Sequence, residues 1–159
     1  MARIQRNYPN NGFYGIGIMH GKHDHNIGTL WRSAYIMGAS FIFTLGRAYK
    51  QQTSDVVNAW TRIPLYHYET IDDLKKHLPY STRLIAVELD EQSIPLETFE
   101  HPERAVYILG NEKNGLPEPV LAVCHDIVQL PGSFSLNVAV AGSIVLYDRV
   151  AKSGRTLPG

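Results

Sequence analysis

Short apolar runs of strand length, separated by segments of helical periodicity, constrain this chain more than any other feature. Tyr14 to Met19, Phe41 to Leu45, Leu65 to Tyr68, Leu84 to Leu89, Ala105 to Leu109 and Ile127 to Leu130 each read as a short strand. Runs without a polar alternation fit strands covered on both faces. Between the first two, Ile27, Leu30, Trp31, Ala34 and Met37 recur at helical spacing. Asn26 is the natural N-cap and Gly38 ends the pattern, so residues 26–37 are predicted to be a helix. Thr70 with Asp73 opens a short amphipathic helix to about Leu78, and Pro117 or Pro119 opens another through Val123. The last helix, from about Asn137 to Ala151, is apolar nearly all round and should be buried. Strands alternating with helices predict an α/β domain with a mainly parallel sheet flanked by helices.

At 159 residues, 44% of them hydrophobic, the chain fits one domain with an ordinary core. We expect that domain over residues 14–152, preceded by a basic, turn-rich arm at residues 1–13 and followed by a fraying tail at 153–159. The longest near-apolar stretch, Leu136 to Tyr147, falls short of the roughly 20 residues of a membrane span, and the N-terminus is polar rather than signal-like. A cytoplasmic protein is expected. The single cysteine, Cys124, excludes an intrachain disulfide. Net charge is zero but unevenly spread: residues 1–50 hold six basic side chains and one acid, Asp24, whereas the remainder holds nine basic and fourteen acidic ones. A polyanion should therefore meet the N-terminal third, unless that face is simply solvated.

Several chemistries fail on position. Gly12, Gly15 and Gly17 lie before and inside the first strand, not after it as a dinucleotide fingerprint requires, and no phosphate-loop signature occurs. His20, His23 and His25 with Asp24 lack helical ligand spacing and a thiolate partner, so no metal site is expected there. A polar loop at the end of the first strand is the simpler reading.

Three other segments place polar groups where an apolar pattern does not ask for them. In Asn26 to Arg32, the arginine lies off the apolar stripe, and its long side chain leans back toward the helix mouth. It is either an ordinary surface charge or part of a site. In Gly110 to Leu116, glycines flank Glu112 directly after a strand, permitting a simple connection or a close approach of backbone to ligand. In Ser133 to Ile144, hydroxyl and amide side chains abut the buried helix. They either cap its free N–H groups or hold a ligand there.

In this order, N-x-G-x-x-x-R at Asn26, Gly28 and Arg32, L-G-x-E-x-x-G-L at Leu109 to Leu116, and S-L-N-V-x-V-A at Ser135 to Ala141 closely resemble the three motifs of the SpoU/TrmH family. These are SPOUT-class RNA ribose 2′-O-methyltransferases that use S-adenosylmethionine. The resemblance covers residues 14–151. It implies a C-terminal deep trefoil knot and a homodimer with active sites near the subunit interface. Carried over by position, Val87, Gly110, Leu130, Ser135 and Leu136 would form the cofactor pocket, with Asn111 and Glu112 beside it. Arg32 would lie at the reacting ribose, oriented by Asn26, while Ser135 and Asn137 hold RNA or shape the cofactor loop. Gly132 departs from the family pattern, where many members have methionine.

The implied reaction is in-line displacement at a sulfonium methyl by a ribose hydroxyl, which needs alignment and proton removal but no metal. Guanidinium is always protonated, so Arg32 is expected to position and polarise the hydroxyl while a phosphate or water takes the proton. With little beyond the catalytic domain, the chain resembles family members acting on tRNA. Arg3, Arg6, Arg47 and Lys50 would then supply phosphate contacts. An rRNA 2′-O-methyltransferase, or a non-catalytic RNA-binding module retaining the fold, are the competing readings.

Overall fold

A computed structural model describes residues 12–20, 27–50, 58–111, 114–132 and 136–153. The elements are β1 (Phe13–His20), α1 (Ile27–Met37), β2 (Phe41–Gly46), β3 (Leu65–Tyr68), α2 (Ile71–His77), β4 (Arg83–Val87), β5 (Ile94–Pro95), β6 (Arg104–Leu109), α3 (Glu118–Leu121), β7 (Asp126–Gln129) and α4 (Val138–Lys152). They form one seven-stranded sheet in the order β3-β2-β1-β6-β4-β7-β5. Every strand pair is parallel.

The predicted alternation accounts for this directly, with small corrections. The strand read as Leu84 to Leu89 stops at Val87, because the chain turns off the sheet into the site described below. The helix expected through Val123 ends at Leu121. Asn137 is the cap of α4 rather than its first turn. The two-residue strand β5 and the 3-10 turns at Ala59–Thr61 and Leu96–Thr98 were not read, since such short pieces carry no periodicity. Thr70 caps α2 as expected, accepting from the Asp73 amide at 3.1 Å.

Two apolar layers sandwich the sheet. On one face Ile16, Ile18, Ile85 and Tyr107 pack with Leu30, Trp31 and Ala34 of α1 and Val145 and Leu146 of α4. On the other, Phe43, Leu84, Val106 and Ile108 pack with Leu74 of α2 and Val120 of α3. The glycines of β1 serve this packing: a Cβ at Gly15 or Gly17 would lie 2.4 Å from the ring of Phe41 or Phe43 on the neighbouring strand. Gly142 of α4 likewise lets the helix approach Leu30 of α1. Burial pushes the Cys124 thiol up to about 12, which keeps it an uncharged packing group.

The C-terminal end of α4 is clamped to the segment before β6. Arg149, 3% exposed, donates to the Pro102 and Glu103 carbonyls at 2.7 and 2.9 Å and to the Tyr107 hydroxyl at 3.0 Å. Its guanidinium lies 4.5 Å from the centroid of Tyr14. The Tyr107 hydroxyl reaches His101 Nδ1 at 2.6 Å, and His101 Nε2 reaches Asp148 at 2.7 Å. Lys152 closes the cluster on Asp148 and on the Leu96 and Phe99 carbonyls. Among the described residues no helix is long and apolar enough to cross a membrane.

Candidate active site

The loops leaving the carboxyl ends of β4, β6 and β7 converge on a cleft of about 600 Å³ that also takes in the start of α4. Parallel α/β sheets place ligands at such ends, where strand connections diverge. Its walls are Val87, Leu109, Leu116, Leu121, Leu130, Val138 and Ala141, and its polar groups come from Glu88, Asn111, Asn114 and Asn137. A cleft of this size, with leucine and valine walls and amide and carboxylate groups among its lining, suits a small-molecule ligand with both apolar and polar parts.

The loop after β6 is held in one shape. The Gly115 amide donates to the Asn111 carbonyl at 3.0 Å, and the Asn114 amide to Asn111 Oδ1 at 2.7 Å. A Cβ on Gly110 would lie 2.4 Å from the Gly115 carbonyl carbon, so the two ends of this turn touch through bare backbone. Gly115 has φ +64, in the left-handed region that favours glycine. Glu88 fixes the loop from β4: one carboxylate oxygen accepts from the Leu116 amide at 2.9 Å, the other from the Leu89 amide at 3.0 Å. Reading the sequence missed Glu88. The only available signal was a carboxylate placed directly at a strand's carboxyl end.

At the opposite wall, Asn137 Oδ1 accepts from the Ala139 and Val140 amides at 2.9 and 3.3 Å, satisfying the first turn of α4. Ser143 donates to the Ala139 carbonyl at 2.6 Å, so its 2.6 Å contact with Ser33 is one in which Ser33 donates. That bond ties α1 to α4.

Among the residues singled out from sequence, Val87, Gly110, Asn111, Leu130, Leu136 and Asn137 all line this one cleft. Arg32 does not. It stands exposed on α1, and among the described residues it makes no hydrogen bond or ion pair. Arg47 and Lys50 are exposed on the loop after β2. Asn26, Glu112, Ser135, Arg3 and Arg6 lie outside the described residues, as do the arm at 1–11, His23, Asp24, His25 and residues 154–159.

Residues 16–147 match the sequence profile of the SpoU rRNA Methylase family. The chain belongs to this family. Over 132 residues it is 24% identical to a tRNA (guanosine(18)-2′-O)-methyltransferase of Escherichia coli (strain K12), a match covering 78% of this chain and 57% of that protein. The chain thus spans little more than half the length of that relative. Its fold is similar to that of an AdoMet-bound rRNA methyltransferase from Sinorhizobium meliloti, with a TM-score of 0.79 at 23% identity, over 94% of this chain and 59% of that one. It is also similar to a protein solved for insight into 2-OH methylation of C/U34 on tRNA, with a TM-score of 0.75 at 22% identity, over 91% of this chain and 99% of that one. At such identities the two structures establish the shared SpoU-family fold. The cleft of this family member lies between the second and third of the motifs quoted from its sequence.

Proposed function

We propose that this SpoU-family chain is an S-adenosylmethionine-dependent RNA 2′-O-ribose methyltransferase whose substrate is a tRNA. The observation that carries the reading is that Val87, Gly110, Asn111, Leu130 and Leu136, the positions the family resemblance implies for the cofactor, meet in one cleft at the strand ends. The cofactor supplies a methyl group activated on a sulfonium for attack by a ribose oxygen. The residues fit such a molecule: leucine and valine walls for the adenine, and an unstrained backbone rim at Gly110 and Asn111 for its polar atoms. Glu88 and Asn137 hold the two walls apart by fixing the β6 loop and the start of α4.

Arg32 holds the ribose hydroxyl. A guanidinium is permanently charged and cannot accept the proton, so it orients and polarises the 2′-OH while a water or phosphate oxygen takes the proton. Because Arg32 stands outside its own chain's cleft, the reading includes a homodimer in which Arg32 of one protomer completes the cleft of its partner. An exposed apolar stripe supports that assembly: Val140, Ile144 and Tyr147 follow helical spacing along α4, and Ile36 is exposed on α1. The reading also includes a trefoil knot, in which the chain after β7 passes through the loop after β6.

The tRNA assignment draws on the E. coli relative and on the C/U34 protein, 99% of which is matched by this chain. The reading includes action in the cytoplasm. Arg47 and Lys50, with Arg3 and Arg6, would meet its phosphates. The test is calorimetry with S-adenosylmethionine, then nucleoside mass spectrometry of tRNA and rRNA treated with wild type and R32A. We expect R32A to lose methyl transfer and keep cofactor affinity. Wild-type protein that takes up no cofactor overturns the reading, and methylation confined to rRNA moves the substrate.

A further inference from the structure

Along the flank of α1 turned away from α4, the chain holds large aromatic side chains out in solvent. Leu30 and Ser33 face α4, and Tyr35 lies about 200° around the helix from Ser33. The turn Ala59–Thr61 packs against α1 and is pinned at both ends. Ala59 is fully buried and Ile63 packs on the core. Asn58 takes a left-handed φ of 49, and the Thr61 hydroxyl donates to its carbonyl at 2.7 Å. On this rigid tip Trp60 is 41% exposed, while the other tryptophan, Trp31, is wholly buried. Two residues on, the Arg62 guanidinium lies 5.8 Å from the ring centroid of Tyr35, itself 37% exposed. Arg32 is one helical turn before Tyr35 and exposed.

Between His25 and Glu69 the sequence holds one carboxylate, Asp55, against Arg32, Arg47, Lys50 and Arg62, so this part of the chain is predominantly basic. Aromatic faces interleaved with guanidinium groups suit unpaired RNA, whose bases stack on rings while phosphates meet cations. A merely solvated turn needs no indole at its tip.

We propose that Trp60 and Tyr35, with the Arg62 guanidinium on the Tyr35 ring, form a stacking platform for an unpaired base of the RNA substrate. The proposal rests on the methyltransferase reading and adds to it that the target ribose lies in or beside an unpaired segment rather than within a duplex.

The experiment is anisotropy titration of a labelled single-stranded oligoadenylate, and of an abasic ribose-phosphate oligomer of equal length, with wild type, W60A, W60F and Y35A. W60A is expected to weaken oligoadenylate binding by about five- to a hundredfold. W60F keeps most of it, and abasic binding does not change. Oligoadenylate should also quench wild-type tryptophan emission, because the buried Trp31 is shielded. Equal affinities of W60A and wild type, or equal losses toward both oligomers, overturn the platform. So does a fall of W60A to a smaller species in sedimentation, which assigns the surface to a second copy of the chain. Cofactor calorimetry on the same samples separates the two readings. Base-dependent binding without cofactor uptake leaves the platform standing and ends the methyltransferase reading; cofactor uptake without base-dependent binding does the reverse.

Discussion

Glu88 accepts from two backbone amides at once, one at its own strand's exit and one 28 residues on, beyond the turn after β6. Removing a half-buried carboxylate leaves both amides without their acceptor, at about 1.5–3 kcal/mol for a hydrogen bond to a charged group. We therefore expect E88A to lower unfolding free energy by about 2 kcal/mol in urea. If the same ordering must be supplied on binding, cofactor affinity should fall by about tenfold or more. Calorimetry showing unchanged affinity would show that the loop holds its shape without Glu88. At this scale the sequence was legible where a motif carried the residue: Gly110, Asn111 and Leu136 line one cleft. Glu88 was not legible, because its partner is remote in sequence and a lone carboxylate at a strand end reads as an ordinary turn. Gly15 and Gly17 were noticed but serve neighbouring aromatic rings, a role that only the register of β1 on β2 reveals.

Among the elements, α4 is fixed at two points: Asn137 caps it in the cleft, and Arg149, Asp148 and Lys152 anchor its far end. The cap was legible from Asn137 preceding an apolar run. The clamp was not, since His101 and Tyr107 come from a different part of the chain. Within it, the Tyr107 hydroxyl accepts from Arg149 and donates to His101 Nδ1, which leaves Nε2 as the protonated nitrogen donating to Asp148. Burial holds the His101 pKa below the usual histidine value, outweighing the attraction of Asp148, and Arg149 and Lys152 act in the same direction as burial. The same burial pushes the Tyr107 hydroxyl up to about 12. A folded histidine pKa below its unfolded value means that the unfolded chain binds the extra proton first. The stability from neutral His101 is therefore complete above about pH 6.5 and is lost as pH falls toward the folded value. Urea midpoints should be flat from pH 8 to 7, then fall with a slope of at most about 1.4 kcal/mol per pH unit from this group. H101F, lower in stability throughout, should lack that component between about pH 6.5 and 5, above the main carboxylate range. A parallel slope in both proteins would assign the acid sensitivity elsewhere.

For the molecule as a whole, the open question is where Arg32 does its work. The alternation of strands and helices made the parallel sheet legible, and helical spacing put Arg32 off the apolar stripe. Neither shows where a second copy of the chain would sit, because an exposed stripe on α4 reads simply as part of a hydrophobic helix. Ile144 lies at the middle of that stripe and is exposed, so I144E places a charge in solvent if the chain is alone and in an apolar contact if it is paired. We expect I144E to sediment as a folded monomer, bind S-adenosylmethionine and transfer no methyl group. Complementation then separates loss of pairing from loss of fold. R32A keeps its cleft and E88A keeps its arginine, so a mixed dimer would contain one complete site, formed by the R32A cleft and the arginine of the E88A partner. With S-adenosylmethionine held well below the Kd of E88A, so that E88A is nearly silent, co-refolding the two variants in equal amounts should restore about a quarter of the wild-type rate, since half the dimers are mixed and each has one working site of two. The same mixture made with I144E in both chains should stay inactive. Activity that returns in neither mixture, from variants shown by sedimentation to exchange partners, would place Arg32 and the cleft of one protomer in the same site.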